Sequence, residues 1–281
     1  MSADAPDLAE RLLRYEDWEG RAGELAARWR DARPFSHAVI DGFLDARGCA
    51  ALREEFRDLG AACWIENRHA SQRLRSRNGF ERLGPDARAL VEALDAPRFR
   101  AWLSAVTGVE GLFLDREMID GGLSAMGRGD FFDLHTDMQA HALHRRWRRR
   151  VNLIVYLSET WDDAWGGALE LWDASGRERV AEVAARARRA VLFEVSPRAV
   201  HGVPEPLRCP DGALRQNLVL YYFTEEAAEV PLTHFRYRAR PGEILRRPLV
   251  FANNAALALY QLARQRVGDV DEDVSRVLRR R

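Results

Sequence analysis

The stretch "FFDLHTDMQAHALHRRWRRR", residues 131–150, gathers side chains that bind divalent metals: His135, Asp137, His141 and His144. On an extended strand, residues two apart face the same side. His135 and Asp137 therefore present an imidazole and a carboxylate side by side, with Thr136 turned away. H-x-D is a common tripeptide and says little alone. A third ligand must come from elsewhere, and His201 in "RAVHGVP" is the best candidate. Two imidazoles and one carboxylate leave three octahedral positions open, the arrangement with which non-haem Fe(II) admits a chelating co-substrate and dioxygen. Arg215 follows, at the head of "RQNLVLYYF". An arginine fork is the natural partner for the distal carboxylate of a dicarboxylate co-substrate.

These residues need a β framework. From Leu112 to Thr224 the chain reads as short β-type runs separated by Gly, Asp and Pro: "LFLDREMI", "GGLSAM", "FFDLHTDM", "RVNLIVYL", "GALELWD", "RRAVLFEV" and "RQNLVLYYFT". That spacing suggests a sandwich or jelly roll rather than βαβ units. Helical periodicity marks residues 7–31 and about 85–107. "FSHAVIDGF" has strand character. "LDARGCAALREEFRDLG" reads as a helix with Asp45 as N-cap and Gly60 just past its end. The arginine-rich stretch 61–84 has no clear pattern. Helical pieces return in "AALALYQLARQ" and "DEDVSRVLRRR". The expected organisation is an N-terminal segment over 1–110 packing on the core, a jelly-roll core over 111–226 and a helical extension over 227–281.

Composition narrows the class. The chain has 281 residues, 47% of them hydrophobic and 31% charged, as in an ordinary globular protein. Its 43 basic residues, all arginine, balance 43 acidic ones, so no global field draws it to nucleic acid. Cys49, Cys63 and Cys209 are widely spaced, without zinc or CxxC spacing. No apolar run is long enough to span a bilayer, and the acidic start lacks the apolar core of a signal peptide. The expectation is a cytoplasmic protein.

Four blocks in order, "GGLSAMGRGDFFDLHTDM", "RRVNLIVYLSETWDDAWGGALELWD", "VLFEVSPRAVHGVPEPLRCPDG" and "LRQNLVLYYFT", resemble the 2-oxoglutarate- and Fe(II)-dependent oxygenases of the prolyl 4-hydroxylase-like group. The resemblance covers 121–224. It implies a mainly β fold with flanking helices, built on a double-stranded β-helix (jelly-roll) core. It implies Fe(II) held by His135, Asp137 and His201, with Arg215 pairing the 5-carboxylate of 2-oxoglutarate. It further implies dioxygen as co-substrate, ascorbate as a candidate reductant, and hydroxylation of an unactivated C–H with release of succinate and CO2. The substrate is a prolyl residue, an amino acid or a small metabolite. Ser158 stands where the group often has asparagine, and "SPRAVHG" is a variant of its segment; neither touches a proposed ligand. Asp137 in place of Gly or Ala argues against the halogenase variants.

Strand alternation adds weaker candidates. Asn217 and Tyr221 share a face with Arg215. Tyr156 shares one with Asn152 and Ile154, within reach of the co-substrate. The matching block of the resembled group often carries Arg-x-Asn or Arg-x-x-Asn here, which implies that Arg149 and Asn152 line or buttress the site. His141 is a rim or structural residue with substrate contact as the alternative, and His144 is exposed. Residues 145–148 read as a solvated loop and strand edge, with an anion-binding rim for a phosphorylated, nucleotide-linked or acidic substrate as the alternative. Trp161, Trp165 and Trp172 are explained by packing more simply than by substrate stacking. Residues 61–84 and 138–149 are the expected mouth of the site. The competing readings are a non-catalytic metal- or ligand-binding jelly roll and a zinc hydrolase; the latter lacks an HExxH helix.

Overall fold

The computed structural model describes residues 12–58, 64–233 and 235–267. Twelve strands make one continuous, nearly closed sheet. They are β1 (His37–Ile40), β2 (Ile65–His69), β3 (Gln72–Asn78), β4 (Phe113–Leu114), β5 (Gly122–Met126), β6 (Phe131–His135), β7 (Trp147–Tyr156), β8 (Leu169–Trp172), β9 (Arg179–Val183), β10 (Ala190–Glu194), β11 (Val200–Val203) and β12 (Arg215–Glu225). Two four-stranded layers result, β10-β7-β12-β5 and β6-β11-β8-β9, with β3 bridging β5 to β6. All pairings are antiparallel. This is the jelly-roll core with flanking helices that the strand spacing suggested.

Strand β7 shows why the sequence folds this way. Its odd-numbered residues Val151, Leu153 and Val155 join the cluster under the helices, while Ile154 and Tyr156 join a second cluster between the layers. Both faces are buried, so "VNLIVYL" reads as a nearly continuous apolar run. Each such Val or Leu contributes on the order of 1.5–3 kcal/mol through burial. Asn152 is a buried polar residue that interrupts this apolar run.

The helical layer departs from expectation in places. The helix expected over 7–31 starts outside the described residues, Leu8 included, and then divides into Tyr15–Trp18, a 3-10 turn at Glu19–Arg21 and Ala22–Asp31. Trp18 is fully buried against Phe43, Phe99 and Trp102, and its indole N–H donates to the Phe43 carbonyl at 3.3 Å. Gly20, a poor helix former, sits in the turn beside it. Asp45 caps the helix Ala46–Asp58 by accepting from the Arg47 and Gly48 amides at 2.7 and 3.3 Å. The stop expected at Gly60 lies outside the described residues, as does Cys63. Residues 85–107 form two helices, Pro85–Asp95 and Pro97–Thr107, because Pro97 holds Ala96 extended.

The patternless stretch 61–84 contains the hairpin β2–β3, and β3 is paired on both edges within the main sheet. The piece "AALALYQLARQ" falls inside one helix, Arg247–Val267, and "DEDVSRVLRRR" lies outside the described residues. No helix among the described residues is long and apolar enough to cross a membrane.

Candidate metal centre and co-substrate pocket

His135 ends β6, and its cross-strand partner on β11 is His201. Residues directly opposite on an antiparallel pair face the same side, and the two imidazole centroids stand 4.4 Å apart. The approach depends on Gly202: a Cβ there would meet the Phe132 and Asp133 carbonyl oxygens at 2.8 and 2.9 Å. Asp137 lies two residues past the strand end and still turns to the same side. Its Oδ1 is 3.4 Å from His135 Nε2 and 3.8 Å from His201 Nε2. One ligand atom from each of the three residues lies within 4.8 Å of the others, and all three residues are buried.

The hydrogen bonds fix which atoms face inward. His135 Nδ1–H donates to the Asp133 carbonyl at 2.8 Å, and His201 Nδ1–H donates to the Ala199 carbonyl at 3.0 Å. A carbonyl can only accept, so both protons sit on Nδ1 and both Nε2 lone pairs point at the group. Burial, helped by the neighbouring His135, pushes the His201 imidazole down to about 4, so it stays neutral as a metal requires. Burial opposes ionisation of Asp137, but the charge of Arg149, joined by His201 and His135 whenever they take a proton, holds its carboxyl well below the usual range. Ligand atoms about 2 Å from an ion stand about 3 Å apart, so small movements convert this group into a facial coordination set.

A second polar group sits between the layers. Arg215 is almost fully buried at the start of β12. Its Nε donates to the Gly167 carbonyl at 2.7 Å, Nη1 to Asn217 Oδ1 at 3.0 Å, and Nη2 to the Tyr156 hydroxyl at 3.3 Å. Among the described residues no carboxylate pairs with it. Burial lowers its pKa, and a buried cation without a counter-charge is costly. The arrangement suits an incoming anion. Gly167 has φ +84°, and a Cβ there would meet Arg215 Cδ at 3.1 Å, so the glycine makes room for the guanidinium.

A third group adjoins Asp137. Asn152 Nδ2 donates to Asp137 Oδ2 at 3.1 Å, leaving Oδ1 to the imidazoles. Arg149 is fully buried, pairs with Asp120 Oδ2 at 2.5 Å and lies 3.9 Å over the Tyr221 ring. Burial works against its charge, but Asp120, Tyr221 and Asp137 outweigh that and raise its pKa. Among the described residues, Arg149 Nε and Nη1 and Asn152 Oδ1 have no hydrogen-bond partner. Burial raises the Tyr221 hydroxyl, which also feels Asp137 and a hydrogen bond with Asn152.

The remaining candidates lie elsewhere. His141 is buried, not at a rim: its Nε2 lies 3.2 Å from Asp115 Oδ2, and its Nδ1 accepts the Leu143 and His144 amides at 3.2 and 3.0 Å. His144 stacks on Trp147 at 3.9 Å. Arg145, Arg146 and Arg148 meet Glu229, Glu225 and Glu226 at the surface. The Trp161 indole donates to Gly166, and Trp172 to Glu170. Sequence patterning had not singled out Asp120, Gly167, Asp133 or the aromatic residues Phe132, Phe235 and Tyr237 around His135.

Comparison with known proteins agrees with this geometry. Residues 121–224 match the family model described as the 2OG-Fe(II) oxygenase superfamily. A curated mouse (Mus musculus) protein, prolyl 3-hydroxylase OGFOD1, is 26% identical over 216 residues, 74% of this chain; the chain spans 37% of that relative's length. A solved prolyl hydroxylase from Trichoplax adhaerens, in complex with a hypoxia inducible factor oxygen degradation domain peptide fragment, superposes with a TM-score of 0.54 at 18% identity, covering 75% of this chain and 92% of its own. A Pseudomonas putida prolyl-4-hydroxylase gives a TM-score of 0.52 at 22% identity, covering 73% of this chain and 100% of its own. These structures share the fold. The resemblance read from the four sequence blocks is borne out.

Proposed function

Proceeding from a 2OG-Fe(II) oxygenase segment with prolyl hydroxylase relatives, we propose that the protein is a dioxygenase that hydroxylates an unactivated C–H bond. Fe(II), 2-oxoglutarate and dioxygen are its cofactor and co-substrates, and when bound they supply the oxidising power: R–H, 2-oxoglutarate and O2 become R–OH, succinate and CO2. His135, Asp137 and His201 hold the iron. Arg215 pairs the distal carboxylate of 2-oxoglutarate, with Tyr156 and Asn217 orienting the guanidinium. The single observation that carries this reading is the buried Arg215 without a carboxylate partner, between the same two layers as the three converging ligands.

The chain's own groups divide the remaining work. Asn152 holds Asp137 Oδ2, so the carboxylate offers one oxygen to the metal and leaves positions free. The unpaired N–H groups of Arg149 and the unpaired Asn152 Oδ1 face a polar part of the substrate, because such atoms are costly to leave bare. Tyr221 supplies the aromatic floor under Arg149. The inner apolar residues exclude water and fix which carbon lies next to the iron. The named relatives make a peptidyl proline the leading substrate; a free amino acid or small metabolite is the alternative.

The test is succinate release from 2-oxoglutarate with Fe(II), against proline-containing peptides and a pool of amino acids and metabolites. The proposal expects turnover above background and a product heavier by one oxygen. Arg149→Leu should raise KM more than it lowers kcat. No succinate above background with any pool would contradict the proposal.

A further inference from the structure

The strand that carries His135 has an edge problem. On one side β6 pairs with β11; on the other, β3 pairs only with Phe131 and Phe132 and then turns away. The edge beyond, leading to His135 and Asp137, is covered by a segment past the end of the matched family region. Arg238 N–H donates to the Leu134 carbonyl at 2.7 Å. Thr136, the residue between His135 and Asp137, exchanges hydrogen bonds with Arg236, N–H to carbonyl at 3.3 Å and back at 3.4 Å. The segment thus adds itself to the strand as a short antiparallel strap.

Side chains tighten the same attachment. Arg246 grips the Asp133 carboxylate with both nitrogens, Nη1 to Oδ1 at 3.2 Å and Nη2 to Oδ2 at 2.9 Å, and Asp133 is 1% exposed. The carbonyl of that same Asp133 takes the His135 Nδ1 proton. Phe235 and Tyr237 lie 5.5 and 5.7 Å from the His135 ring, on which Phe132 also stacks at 4.0 Å. Asn254, on the helix Arg247–Val267, pairs both backbone groups of Tyr237: it accepts the N–H at 3.0 Å and donates to the carbonyl at 2.9 Å. The Tyr237 hydroxyl reaches Gln72 at 2.8 Å, tying the strap back to β3.

We propose that residues 235–254 are part of the metal centre: a clamp in which Arg246, Tyr237 and Asn254 are positioning residues that set the orientation of His135 and Asp137, and so the metal affinity. The inference rests on the reading that His135, Asp137 and His201 bind a metal. Partners that orient a ligand commonly change metal affinity by about 10–100-fold when removed. Two routes reach His135 from the clamp, through the Asp133 main chain and through the aromatic contacts, and one reaches Asp137, through Thr136.

The experiment is a titration of the full metal-free chain with Co(II) alone, read by its visible absorption, with circular dichroism and thermal melting as fold controls. Asn254→Ala frees the Tyr237 backbone without leaving a buried charge. Arg246→Leu removes the grip on Asp133, and the double variant Arg246→Leu/Asp133→Asn removes the lone charge as well. Arg116→Leu, which takes an arginine from the buried Asp95 in the helical layer, is the comparison. The clamp predicts at least about tenfold weaker Co(II) binding in Asn254→Ala and Arg246→Leu, with an altered band shape. The double variant recovers thermal stability but not affinity. Arg116→Leu binds as wild type does. Should Arg246→Leu fail to fold, Asn254→Ala decides. A folded Asn254→Ala that binds Co(II) with wild-type affinity and spectrum overturns the clamp alone. A wild-type chain that takes no Co(II) overturns the metal reading, and the clamp with it.

Discussion

Two buried imidazole–carboxylate contacts lie a few residues apart in this chain and have opposite chemistry. In one, His141 stands 3.2 Å from Asp115. In the other, His135 stands 3.4 Å from Asp137. His141 has both ring nitrogens engaged, and Asp115 also accepts the Glu117 and Ile119 amides at 2.9 Å each. Both ring nitrogens and both carboxylate oxygens have a local partner, and the pair stitches two loops together. His135 and His201 use only Nδ1, on backbone carbonyls, and leave Nε2 aimed at Asp137. Proximity of His and Asp is common to both. What distinguishes a metal site is convergence of atoms that the protein itself leaves unsatisfied.

The comparison is broken most directly by exchanging the two sets. Asp137→Ala or His201→Ala should abolish measurable Co(II) binding while leaving the fold in place. His141→Ala should leave Co(II) binding within a fewfold of wild type and lower stability by about 1–3 kcal/mol, the cost of stranding buried Asp115. Metal titration and urea unfolding on the three variants check this. Equal loss of metal binding in His141→Ala would erase the distinction.

A smaller effect is expected at the other end of the pocket. Arg215→Met should retain metal but lose about 10–100-fold in 2-oxoglutarate affinity, since a charge-assisted pair contributes about 1.5–3 kcal/mol. The ligand-free variant should be no less stable than wild type, because a buried unpaired guanidinium does not favour folding. Calorimetric titration and melting curves separate the two outcomes. A sharp drop in ligand-free stability would mean that the arginine is there for packing.

A further effect, in pH, acts on stability alone. The unfolded His201 imidazole takes a proton near 6.5, and the folded one only at about 4. Between those values the unfolded chain binds more protons, so metal-free stability is full above about pH 6.5 and declines as pH falls toward 4. His201→Gln should flatten that decline in melting curves taken across the range.

The chemistry was more legible in the sequence than its supports. His135, Asp137, His201 and Arg215 sit in motifs whose residue types announce the use proposed for them, and the strand spacing over 112–224 announces a jelly roll. The hairpin β2–β3 was not legible because arginines occupy its outer face, Arg73 and Arg75, and Leu74 is the lone fully buried apolar side chain between them. No periodicity survives in such a strand. Nor does any local pattern announce that Arg246 will reach Asp133, or Asp120 reach Arg149, across long stretches of chain. Those pairings are products of topology. For His141 the turn-like sequence left a rim and a structural role open together, and the turn at 141–144 that draws it inward to Asp115 decides for the structural one.

The central claim is that His135, Asp137 and His201 hold Fe(II) so that 2-oxoglutarate, anchored by Arg215, can chelate it. Mixing the metal-free protein with Fe(II) and 2-oxoglutarate without oxygen tests it most directly. The account predicts a weak visible metal-to-ligand band that is lost or shifted in Asp137→Ala and needs higher 2-oxoglutarate in Arg215→Met. A folded wild-type protein that shows no band at saturating metal and 2-oxoglutarate would contradict it.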